Sequence, residues 1–159
     1  MGARTHAHSL SSMSRIVLDT NCLLQILPSK SPFHKIWENV LSGGTCLCVN
    51  SEILYEYEEI LSQKTTPGIA HNVVEAIARL HTTVFQETHI HFALIKQDVD
   101  DNKFVDCAIV TGARYVVTND SHFDILRQID WPKVDIITLK DFMKETVAKS
   151  HSQQDDGKK

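Results

Sequence analysis

Three aspartates, far apart in the chain, stand where carboxylates could do metal chemistry: Asp19, Asp101 and Asp120. Asp19 follows the apolar run Ile16-Val17-Leu18, and Asp120 closely follows Tyr115-Val116-Val117-Thr118. Short runs rich in Val and Ile, without alternation, read as strands buried on both faces. Both acids then fall just past the carboxyl ends of neighbouring parallel strands, where open α/β sheets bind their ligands. Asp101 lies in Asp98-Val99-Asp100-Asp101-Asn102-Lys103-Phe104 and starts the helix that leads into the second of these strands. Three carboxylates aimed at one crevice cannot all stay ionised unless a cation joins them. Asp101 can begin a helix and still serve a metal, because a helix N-terminus favours the ionised form that a metal needs. An all-oxygen donor set selects Mg²⁺ or Mn²⁺ rather than zinc.

A fourth acid is expected on the helix after the second strand. Its apolar positions Ile53, Leu54, Tyr57, Ile60 and Leu61 form one stripe at about 100° per residue. Glu56 and Glu58 both flank that stripe, and spacing alone does not choose between them. Asn21 is placed to orient Asp19 or a water, and the Thr118 hydroxyl to hydrogen-bond a site carboxylate. Asp98 and Asp100 read as solvated loop residues, His122 as an exposed loop histidine and Asp124 as a helix cap. Asp106 falls one residue off the inward helix face.

The elements that must hold these groups alternate. Strands are expected over residues 15–18, 45–49, 82–85, 115–118 and 134–137. Helices are expected over 33–41, from Asn50 or Ser51 through Leu61, over 70–80, from Asp100 or Asp101 to Gly112, and after Thr138. Ser121-His122-Phe123-Asp124 resembles a capping box opening a short helix, and residues 21–27 a helical turn. This alternation implies βαβ units with right-handed crossovers. The fold class is α/β: a three-layer α/β/α sandwich on a mostly parallel sheet, Rossmann-like.

The bulk numbers fit one such domain. The chain has 159 residues, 42% of them apolar, enough for a full core. A net charge of −4 offers no broad basic surface for nucleic acid, although divalent ions would reverse the charge of an acidic site. The four cysteines have neither disulfide-framework nor zinc-ligand spacing and suit reduced core thiols in a cytoplasmic protein. No run approaches the roughly 18 apolar residues of a membrane span. No phosphate-binding glycine motif is present. Residues 1–14 and 149–159 are polar and expected to be disordered, leaving 15–148 as the domain.

Four motifs in this order are together specific. They are Ile16-Val17-Leu18-Asp19-Thr20-Asn21; Ser51-Glu52-Ile53-Leu54-Tyr55-Glu56-Tyr57; the Asp98–Phe104 stretch; and Val117-Thr118-Asn119-Asp120 with Phe123. From about Arg15 to Val147 the chain resembles the PIN domain (PilT N-terminus) family, in particular the branch of toxins from bacterial toxin–antitoxin pairs. The resemblance implies an acidic quartet of Asp19, Glu56, Asp101 and Asp120, and so selects Glu56 over Glu58. It also implies helper roles for Asn21 and Thr118. Val99 departs from the Pro common in that branch. The implied activity is a Mg²⁺- or Mn²⁺-dependent endoribonuclease with an RNA substrate. In that mechanism two ions about 4 Å apart bridge the quartet and the scissile phosphate, activate water and steady the leaving oxygen. Lys35, Lys103 and Arg127 are candidate contacts to the RNA backbone. An antitoxin partner and a homodimer are further expectations.

Rival readings are fewer in supporting residues. A phosphotransferase with an aspartyl intermediate needs a second acid two residues after the first, where this chain has Asn21. A receiver domain wants an acidic pair near the first strand and a Lys after the last, and only Asp19 and Lys140 approach that pattern. A non-catalytic PIN-like module binding RNA or a partner, and a DNA-directed or structure-specific nuclease, complete the alternatives.

Overall fold

The computed structural model describes residues 14–156. Residues 1–13 and 157–159, and with them most of the end segments expected to be disordered, lie outside the described residues.

The sheet grows from the shortest apolar runs. Strand β1 (Ser14–Leu18) carries Ile16, Val17 and Leu18 with no exposed surface, and β2 (Thr45–Val49) is buried along its whole length. That is the signature of strands covered on both faces. With β3 (Val84–Phe85), β4 (Tyr115–Val117) and β5 (Ile136–Ile137) they form one sheet of order β3-β2-β1-β4-β5. Every pairing is parallel, so the sheet is wholly rather than mostly parallel. Helices cover both faces, as the three-layer expectation requires.

The connections are α1 (Thr20–Ile26), α2 (His34–Leu41), α3 (Ser51–Lys64), α4 (Pro67–Arg79), α5 (Asn102–Thr111) and α6 (Leu139–Asp156). Two 3₁₀ segments, Val99–Asp101 and Ser121–Gln128, complete the set. Their ends follow local chemistry. Asn50 caps α3 by accepting the Ile53 N–H at 2.8 Å. Gly112 ends α5 in the left-handed conformation, φ 66°, which glycine adopts without Cβ strain. Helix α4 starts at Pro67, three residues earlier than the apolar pattern suggests, because Thr66 caps it and Pro suits the first turn. Asp120, rather than Ser121, caps the second 3₁₀ segment. Helix α6 runs on through residues 149–156, where a disordered tail was expected.

Strands β3 and β5 are shorter than their apolar patterns. The Thr83 hydroxyl donates to the Ile77 carbonyl at 2.6 Å, and its N–H to Leu80 at 3.1 Å, so residues 82–83 finish the α4 turn instead of pairing. Both short strands lie at sheet edges.

After the first strand the chain moves outward to β2, and after β4 it moves the other way to β5. The carboxyl ends of β1 and β4 therefore flank a topological switch point, the position at which such sheets open a crevice. The Asp19 N–H donates to the Val117 carbonyl at 3.1 Å and carries the ladder to the rim of that crevice.

The irregular stretch between β3 and α5 is fastened by two side chains one helical turn apart. Asn102 accepts the Ile95 N–H at 2.9 Å and donates to the Ile95 carbonyl at 2.8 Å. Asp106, 2% exposed, accepts the Phe92 N–H at 3.1 Å. Asn102→Ala leaves both backbone groups of Ile95 unsatisfied, at about 1–3 kcal/mol for each orphaned group. A urea melt should lose about 2–4 kcal/mol; a loss below about 0.5 kcal/mol would show the fastening to be dispensable.

Candidate metal centre

The switch point positions the acids. Asp19, 6% exposed, follows β1 directly. Its Oδ2 accepts the Thr118 hydroxyl at 2.9 Å, and its carboxylate also accepts the Asn21 backbone N–H. Burial, first, and the nearby charges of Asp120 and Glu56 push its pKa up, against the two hydrogen bonds. The Thr118 oxygen in turn accepts the Asp120 N–H at 3.1 Å. One hydroxyl thus ties the two strand-end acids together. Beneath them Tyr57, fully buried, donates its hydroxyl to the Leu18 carbonyl and pins the end of β1 to α3.

Glu56 is one residue before Tyr57 on α3 and is half-buried, whereas Glu58 is exposed. Thr20 donates its hydroxyl to Glu56 Oε2. Lys103, only 11% exposed, places Nζ 2.7 Å from Glu56 Oε1. Asp101 stands at the head of α5 but makes no cap hydrogen bond. Instead Asp98 accepts the Asp100 N–H at 3.2 Å and caps the preceding 3₁₀ turn. Asp101 is left without that duty, and its Oδ2 is a buried oxygen with no hydrogen-bond partner. Burial, then the charges of Asp98, Asp120 and Asp19, push its carboxyl up to about 7. A buried carboxylate oxygen without a partner is costly. A cation beside it would remove that cost, so the residues present fit a divalent ion.

His122 is exposed, as expected of a loop histidine, and it also stands beside the acids. Its Nδ1 lies 3.5 Å from Asp120 Oδ1 and 3.9 Å from both Asp101 Oδ2 and Asp98 Oδ2. Ligand atoms of Asp98, Asp101 and His122 lie within 4.8 Å of one another. His122 thus adds a ring nitrogen to an edge otherwise lined by carboxylate oxygens. The available signal was the two-residue spacing from Asp120, whose Oδ1 accepts the His122 N–H at 2.9 Å.

Not every expected group joins the cluster. Lys35 pairs with Glu38 at 3.7 Å and Arg127 with Asp124 at 3.8 Å, both on exposed faces. Asp106 is buried on α5, with His91 3.5 Å away. Asn21 is exposed and lines an open depression of about 500 Å³ with Asp19, Leu24, Gln25, Asn119 and Asp120. Cys22 lies beside Asp19, its thiol pushed up to about 12, first by burial and then by the Asp19 charge. It is thus an inert core group.

Thr118→Val preserves shape but removes the donor to Asp19 and the acceptor for Asp120. Groups that orient metal ligands are worth about 10–100-fold in affinity, so calorimetric titration should show Mn²⁺ binding at least about tenfold weaker. Unchanged affinity would remove Thr118 from the site.

The PIN domain family model matches residues 15–122. No curated protein matches the chain. Among solved structures, the crystal structure of DNA-bound VapBC from Salmonella typhimurium is similar, with a TM-score of 0.56 at 22% identity. The match covers 80% of this chain and 99% of that one.

Proposed function

The chain belongs to the PIN domain family, and from that membership we propose that it is a Mg²⁺- or Mn²⁺-dependent endoribonuclease, the toxin of a toxin–antitoxin pair. The observation that carries the metal dependence is the buried, unpartnered Oδ2 of Asp101 among the charges of Asp19, Asp98 and Asp120.

Asp19, Asp101 and Asp120 would hold the ion, with Glu56 beside them. When bound, the ion would lower the pKa of a water and take up charge on the phosphate oxygens. The chain's own groups keep that arrangement fixed. Thr118 holds the Asp19 carboxylate at 2.9 Å, and the Asp120 carboxylate is steadied by the His122 N–H. Tyr57 anchors the strand end that carries Asp19. With a net charge of −4 the protein has little general attraction for RNA, so the bound cation and its approach must supply it. With the 3′ oxygen as leaving group, hydrolysis of the phosphodiester by water leaves a 5′-phosphate and a 3′-hydroxyl.

The antitoxin partner is supported by the similar structure, which is that of a VapBC complex. Four buried free cysteines suit a cytoplasmic setting, and no helix among the described residues is long and apolar enough to cross a membrane. A homodimer is part of the same reading.

The substrate class is tested by presenting the Mn²⁺-loaded protein with single-stranded RNA, the matching DNA strand and the duplexes. Internal cuts in the single-stranded RNA alone are expected. Cuts in DNA at a comparable rate would replace the RNA assignment with a DNA or structure-specific nuclease. Binding of RNA without cleavage would leave a non-catalytic module.

A further inference from the structure

Within the acidic cluster the charges are not compensated evenly. Both oxygens of Glu56 have partners: Oε2 accepts the Thr20 hydroxyl, and Oε1 lies 2.7 Å from the Lys103 ammonium. The Lys103 side chain is only 11% exposed. Its ammonium also stands 5.5 Å from the centroid of the Phe104 ring, and Phe104 is buried. That ring face favours a cation held inward. Asp101, two residues before Lys103, has no such close contact: its Oδ2 makes no hydrogen bond, and His122 Nδ1, 3.9 Å away, is shared with Asp98 and Asp120. The chain thus delivers a lysine ammonium to Glu56, while Asp98, Asp101 and Asp120 have one exposed histidine among them.

We propose that Lys103 takes the place of a second metal ion: its ammonium neutralises Glu56, so the site binds one divalent cation on Asp19, Asp101 and Asp120, with Glu56 outside the ligand set. The proposal rests on the metal-dependent reading above. It deepens that reading by giving the second of the two ions expected from the family resemblance to a lysine. A second divalent ion on Glu56 would have two routes, both unfavourable. It would displace an ammonium from a largely buried ion pair, leaving that ammonium uncompensated. Otherwise it would sit within a few ångströms of a like charge in a site of low effective dielectric. An ion at Asp101 meets neither obstacle. Lys103 is then a positioning residue for Glu56 and a fixed counter-charge, not the exposed phosphate contact that sequence position alone suggests.

The test is Mn²⁺ binding to the full chain without RNA, by calorimetry and by electron paramagnetic resonance. The parent should bind one Mn²⁺ per chain. Loss of a true ligand should weaken binding at least about tenfold in Asp101→Asn, whereas Glu56→Gln should shift the Kd by less than about threefold. Lys103→Met frees Glu56 and should raise the count to two, while Lys103→Arg should keep it at one, circular dichroism confirming the fold of each. Two Mn²⁺ per parent chain, falling to one in Glu56→Gln, would overturn the proposal and leave the metal-dependent reading standing. A count that stays at one in Lys103→Met would also overturn it. No Mn²⁺ binding by the parent at all would fail the metal reading itself, and the lysine proposal with it. The parent count and Lys103→Arg carry the test should Lys103→Met not fold.

Discussion

Asp101→Asn and Asp19→Asn are each expected to abolish RNA cleavage while leaving the fold intact. The bound cation supplies several kcal/mol of transition-state charge stabilisation, and each 1.4 kcal/mol is about tenfold in rate. The loss should therefore be on the order of 10³-fold or more. Stability should move the other way. The Asp101 carboxyl, ordinarily near 3.8, is pushed up to about 7 by burial and neighbouring acids. The metal-free folded state thus holds a proton that the unfolded chain releases, and its stability falls as pH rises through that window. An Asn has no charge to bury, so metal-free Asp101→Asn at pH 7.5 should melt at or above the parent temperature. Two observations would remove Asp101 from the centre: cleavage within about tenfold of the parent, or a melting temperature lowered by several degrees.

Metal removal is the second large effect. EDTA should reduce cleavage to background, on the order of 10³-fold, and added Mg²⁺ or Mn²⁺ should restore it. Because the ion binds the folded chain alone, Mn²⁺ at a hundredfold excess over its Kd should add about 2.7 kcal/mol of stability. For a chain of this size that is roughly 5–10 °C in Tm. The increment should vanish in Asp101→Asn. Cleavage that survives EDTA would point to metal-free chemistry and overturn the metal dependence.

The central strands were legible because their burial is written as uninterrupted apolar runs. Ile16-Val17-Leu18 and Tyr115-Val116-Val117 emerge at the expected places. The edge strands were less so. Thr82 and Thr83 have good strand propensity, but a hydroxyl that can close a helix turn competes with pairing there. The acids at strand ends were legible for the same reason as the strands. Glu56 was not, because the helical stripe has two edges. Its choice depends on Thr20 and Lys103, which reach it from elsewhere in the chain. Lys103 is expected from sequence as a contact to the RNA backbone, since nothing local reveals that its side chain turns inward to Glu56. His122 is exposed, as its position suggests, but its nearness to Asp98 and Asp101 arises only through the tertiary fold. Asp106 shows the converse: buried and acidic, it holds the Phe92 N–H instead of a metal.

The chemistry of the cut ends tests the central claim most directly. The purified protein is mixed with an end-labelled single-stranded RNA, with and without Mn²⁺, and the new termini are identified. Water attack assisted by an ion at Asp19, Asp101 and Asp120 predicts 5′-phosphate and 3′-hydroxyl ends that form only with Mn²⁺. A 2′,3′-cyclic phosphate beside a 5′-hydroxyl, formed equally well in EDTA, would contradict it.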